Sequence, residues 1–99
     1  MNRILLQPVS VDITVAAGVG AGNTDRMQGI ARLIYCKPAA ETYDYTFTLT
    51  DDKSRIIYSK HQVGTLRDTT PLPVSGKYTV DLSAASDDGA YSVYIAVEE

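Results

Sequence analysis

The chain has no tryptophan and one cysteine, and it is poor in straight-chain helix formers. Its 99 residues hold only three glutamates, three glutamines, four lysines and two methionines. Without a second cysteine, Cys36 has no intrachain disulfide partner, which suits assembly in a reducing compartment. Nine basic and twelve acidic residues, net −3, are scattered singly. No cationic cluster is present to displace counterions from a phosphate backbone or to hold an anionic membrane, so neither nucleic acid nor a membrane is an expected partner. No apolar run approaches the ~20 residues that cross a bilayer. Ile4-Leu5-Leu6 is far shorter than a signal-peptide core.

What the chain has in quantity is β-branched and aromatic residues: nine valines, seven isoleucines, ten threonines, seven tyrosines and a phenylalanine. Such side chains lose least freedom on a pleated surface. Alternation then marks the strands. Val9, Val11, Ile13 and Val15 are apolar with polar residues between them. The same period of two recurs at Tyr43, Tyr45, Phe47 and Leu49, at Tyr78, Val80 and Leu82, and at Tyr91, Val93 and Ile95. It predicts antiparallel strands covered on one face, with Val11, Ile13, Phe47, Leu49, Val80, Leu82, Val93 and Ile95 in the core. Ile30 to Cys36 and Arg55 to Ser59 are strand-like but mixed, which fits burial on both sides or contact with another chain. Ile4 to Leu6 is a candidate short extra strand.

Asp51-Asp52-Lys53-Ser54 is expected to close a hairpin, Pro38 to end the strand at Cys36, and Asp87-Asp88-Gly89 to turn into the last strand. Two connections, 16–28 and 60–75, look too long for turns. Thr24 to Gln28 could make at most one helical turn. The expectation is one all-β domain over residues 1–99 with about six or seven strands, an antiparallel two-sheet sandwich of Ig-like or jelly-roll-like kind. A small closed barrel is the structural alternative. Residues 1–8 form a candidate N-terminal arm.

Signs of chemistry are weak. Gly18-Val19-Gly20-Ala21-Gly22 lacks the third glycine spacing of a dinucleotide loop and the Lys-Ser/Thr pair of a P-loop, and reads as a flexible connection. Asp51-Asp52 and Asp87-Asp88 sit in turns rather than in a calcium loop. His61 is the only histidine, too few nitrogen ligands for most zinc sites. No serine lies in a G-x-S-x-G elbow, and Cys36 falls mid-strand among apolar residues, a buried thiol rather than a nucleophile. No catalytic residue, metal or cofactor is expected.

The second half carries a resemblance. It reads Tyr43-Asp44-Tyr45-Thr46-Phe47-Thr48-Leu49-Thr50-Asp51, then Ile56-Ile57-Tyr58, then Gly64-Thr65-Leu66-Arg67-Asp68, then Gly76-Lys77-Tyr78-Thr79-Val80, and closes with Asp88-Gly89-Ala90-Tyr91-Ser92-Val93-Tyr94-Ile95-Ala96-Val97. This order of a Thr-Asp turn, an Ile-Tyr strand, a Gly-Thr-Leu-x-Asp loop and a Gly-x-Tyr-Thr-Val strand resembles small β-sandwich virion structural proteins of tailed bacteriophages. The resemblance spans residues 43–97. It implies a non-enzymatic capsid decoration (cement) protein bound to the major capsid protein lattice, homo-oligomeric or multi-copy. Such a protein would sit on the capsid surface of the virion and in the host cytoplasm during assembly. A head–tail joining or tail component, or a carbohydrate-binding sandwich used in host adsorption, are the alternatives.

Loops 16–28 and 60–75, with residues 1–8, are the expected contact elements. Within them Met27, Val63, Leu66 and Leu72 are candidate apolar anchors, and Arg67 and Asp68 candidate rim charges. Leu66 and Leu72 could equally fold back to plug the end of the sandwich. Tyr94, out of phase with Tyr91, Val93 and Ile95, is expected to point away from the core, towards a sugar or a protein.

Overall fold

The computed structural model describes residues 6–98. Met1 to Leu5 of the candidate arm and of the candidate first strand lie outside them; Leu6, Gln7 and Pro8 are not an arm but open a paired strand.

The strands are β1 (Leu6–Val15), β2 (Gly20–Asn23), β3 (Met27–Lys37), β4 (Asp44–Asp51), β5 (Ile56–Val63), β6 (Leu66–Asp68), β7 (Leu72–Gly76), β8 (Tyr78–Ser83) and β9 (Gly89–Glu98). They form two antiparallel sheets. One runs β1-β9-β3, with β6 and β7 both laid end to end along the far side of β3; the other runs β2-β8-β4-β5. Every connection except β4–β5 and β6–β7 crosses from one sheet to the other. The described residues are all-β, as expected, but there are nine strands rather than six or seven. The surplus lies in the stretches expected to be loops. Residues 16–28 hold β2 and the start of β3, and residues 60–75 hold the end of β5, then β6 and β7. Thr24 to Gln28 makes no helical turn. Among the described residues no helix is long and apolar enough to cross a membrane.

The inward residues of both sheets form one cluster that includes all eight expected core residues. Tyr45 of β4 meets Tyr91 of β9 across the sheets, edge to face at 5.3 Å, a favourable aromatic geometry. The Tyr45 hydroxyl donates to the Gly64 carbonyl at 2.7 Å, so its polar tip is not left unsatisfied. Cys36 is buried and free. Burial pushes its thiol up to about 11, which keeps it protonated and unreactive at neutral pH.

The glycines of 18–22 have a structural use that the sequence reading missed. Ala17 and Gly18, with φ of 55° and 80°, make a two-residue turn across which Ala16 and Val19 exchange both backbone hydrogen bonds. The returning strand β2 then lies against β1 and carries the chain into the other sheet. A Cβ on Gly22 would fall 2.6 Å from Val11 Cγ1. The segment is therefore a close-packed corner, not a flexible connection.

At β4–β5 the hairpin is built as expected. Asp51 accepts from the Lys53 and Arg55 amides and pairs with the Arg55 guanidinium at 2.7 Å. Pro38 follows the last residue of β3.

Candidate binding face

On the outer surface of the five-stranded sheet, strand register aligns side chains into rows. Ser10 pairs with Tyr94, Tyr94 with Tyr35, and Tyr35 with Arg67, so these residues cross four strands in one line. The Arg67 guanidinium lies over the Tyr35 ring, 5.7 Å from its centroid, a cation–π placement. The next row is Pro8, Ala96 and Leu33. Ala96 is buried although it points outward, because its small side chain sits between larger neighbours. Beyond it, Leu6 and Ile30 flank Glu98, and Arg32, at the β-bulge of β3, binds Glu98 at 2.9 Å. On the other side of the tyrosines the row is Asp12, Ser92 and Lys37. The face is therefore an apolar and aromatic strip with charges at its corners. Tyrosine and arginine are the residue types that most often carry binding energy at protein interfaces.

The candidate anchors fall in several places. Tyr94 and Arg67 lie on this face. Met27 and Leu66 are wholly buried in the shared core, so neither has surface to offer a partner; Leu66 plugs the sandwich, the alternative weighed for it. Met27 opens β3 and pairs with Gly76 of β7, which is why it faces inward rather than out of a loop. Leu72 is half-buried and packs on the core. Val63 ends the edge strand β5 and is 54% exposed. Asp68 accepts hydrogen bonds from the Thr70 amide at 2.9 Å and from the Tyr58 hydroxyl at 2.7 Å, and these hold its carboxyl below the usual range. Burial, then the Asp68 carboxylate, push the Tyr58 phenol up. Asp68 thus ties β6 to β5 across the open side of the sandwich and is a structural link.

Sequence reasoning allowed the stretch Ile30 to Cys36 to meet another chain and residues 1–8 to carry contacts, but it did not single out Tyr35, Leu33, Pro8 or Ala96. The signal was present in the lapse of alternation at Leu33-Ile34-Tyr35 and Tyr94-Ile95-Ala96-Val97, where apolar residues occupy both parities.

His61 bonds to the Asp44 carboxylate on the outer surface of the four-stranded sheet, where both are largely exposed. A shallow groove of about 480 Å³ is lined by Val19, Ala21, Asp81 and Ser83. Among the described residues no three His, Cys, Asp or Glu side chains converge as metal ligands would.

No protein-family model matches the chain, and no curated protein shows significant similarity to it.

Proposed function

We propose that the protein is a non-enzymatic structural subunit of a tailed-phage virion, a capsid decoration protein that takes its place on the major capsid protein lattice in many copies. The observation that carries this reading is the outer face of the five-stranded sheet. There Tyr94, Tyr35 and Arg67 stand in one register row beside Pro8, Ala96 and Leu33. A sheet face of this composition gains by leaving water and holds orientation through its corner charges. The sequence order over residues 43–97 supplies the virion context. The two sheets fit a sandwich of the Ig-like or jelly-roll-like kind, and repeated weak contacts suffice when many copies share a lattice.

Mass spectrometry of purified particles, with averaged density to count copies, tests the reading. Decoration predicts the protein at hundreds of copies, and Tyr94→Ser removes it from particles while leaving its melting temperature within a few degrees. About six to twelve copies would move it to the neck or tail. A second reading rests on the side-by-side pairing of Tyr35 and Tyr94, which could also stack a sugar. Tyrosine-dependent binding on a glycan array, with the protein absent from virions, would replace the structural role.

A further inference from the structure

We propose that the partner seated on this face is a second copy of the chain, related by a twofold axis running along β9. The inference rests on the reading of this face as a protein-docking surface and names its occupant.

In the strand order β1-β9-β3, β9 is the middle strand of the face. Rotation by 180° about an axis parallel to β9 lays β1 of one copy over β3 of the other and keeps every row over its own counterpart. The row Asp12–Ser92–Lys37 then places Asp12 against the second copy's Lys37, twice over. Among the described residues neither of these side chains is in an ion pair, although Lys37 lies in the field of Glu41. The row Ser10–Tyr94–Tyr35 sets Ser10 against the second copy's Tyr35 on either side and leaves Tyr94 facing its own counterpart at the axis, ring against ring. The row Pro8–Ala96–Leu33 puts apolar against apolar, with the small Ala96 at the axis, where the sheets approach closest. Glu98 also falls near the axis, and each copy already neutralises it with Arg32 at 2.9 Å. The other face-to-face twofold, across the strands, lays β1 on β1 and offers Asp12 no cation. Only the axis along β9 makes the face complementary to itself, as a twofold interface requires.

Only β1, β9 and β3 overlap under this rotation. About four rows at ~7 Å and three strands at ~4.8 Å cover roughly 400 Å² on each copy, or ~800 Å² in total, the size of a weak, transient contact.

Sedimentation velocity on the isolated protein across a concentration series, with circular dichroism to check folding, decides the matter. The native protein should pass from 10.7 kDa to twice that mass as concentration rises. Asp12→Lys and Lys37→Asp should each weaken self-association by at least about tenfold, because each sets like charges face to face. The double variant, which restores opposite charges across the axis, should recover it. A native protein that stays monomeric throughout, single exchanges that leave the dimer intact, or a folded double variant that fails to recover it, each overturns the proposal. The two readings separate cleanly. An isolated monomer whose Tyr94→Ser variant is lost from particles removes the dimer and leaves the docking face, whereas a charge-dependent dimer absent from particles removes the virion role and leaves the dimer.

Discussion

The two sheets share one core but turn different surfaces outward. The four-stranded sheet presents Thr46, Thr48 and Thr50 on β4, Thr79, Asp81 and Ser83 on β8, and Ser59 and His61 on β5. Most are short and polar, and several bond to protein partners, Thr48 to Ser59, Thr79 to Asn23 and His61 to Asp44; the exposed Ile56 and Val63 stand at the two ends of β5. The five-stranded sheet presents Tyr94, Tyr35, Leu33, Pro8 and Ala96, with charges only at the corners and the rim. The inner residues of β4 and β8 are as buried as those of β1 and β9, so on these strands the contrast does not come from the fold's need for a core. It is the ground for proposing that another protein covers the five-stranded sheet.

The largest expected effect removes the common foundation of both faces. Phe47 is wholly buried and meets Tyr58 edge to face at 5.9 Å. Phe47→Ala should lower unfolding free energy by about 3–5 kcal/mol in urea titrations. A loss under 1 kcal/mol would mean that the sheets do not depend on one core.

Next comes the corner that joins the two sheets. Gly22→Ala drives a methyl to 2.6 Å from Val11 Cγ1 and should destabilise by about 1–3 kcal/mol. Ala21, its exposed neighbour, should accept serine within about 0.5 kcal/mol by the same titration. Equal effects at the two positions would contradict the close-packed corner.

Across the opposite, open side, Tyr58→Phe removes one donor to Asp68 and should cost about 0.5–1.5 kcal/mol at neutral pH. Asp68 has its folded pKa below the unfolded value of about 3.9. Its contribution is therefore present above that pH and is lost as pH falls through the folded value. Thermal melts from neutral pH downward should show the acid-side loss shrinking in the variant, and an unchanged profile would remove Asp68 from the link.

How much of this was legible beforehand follows from the same contrast. Where alternation is strict, as in β4 and β8, the sequence placed Phe47, Leu49, Val80 and Leu82 in the core and the hairpin at Asp51 where they are found. Where it lapses, in β3 and β9, two parities are apolar and periodicity alone cannot tell an inner from an outer face; only the register with β1 and β6 resolves it. The short strands β2, β6 and β7 were hidden for a different reason. Glycine and proline are poor strand formers, and here Gly22 is required by close approach while Pro73 lies in β7, along the outer edge of the sheet beyond β3. Met27 reads as a surface anchor, and Leu66 as either an anchor or a plug, because the start of β3 and the short β6 look like loops in the sequence.

The smallest expected stability changes carry the sharpest functional contrast. Leu33→Lys and Thr48→Lys are both outward substitutions, and each should alter stability by no more than about 1 kcal/mol. Only Leu33→Lys should abolish assembly, as read by recovery of the protein on particles. Loss with Thr48→Lys instead would assign docking to the wrong sheet.

The central claim, that the five-stranded sheet is covered and the four-stranded sheet stays wet, is tested most directly by carbene footprinting with peptide mass spectrometry. The dilute free protein is compared with the assembled one. Tyr35 and Tyr94 should lose most of their labelling on assembly, while Thr46 to Thr50 and His61 keep theirs. Protection of the threonine surface, with the tyrosines still labelled, would contradict the account.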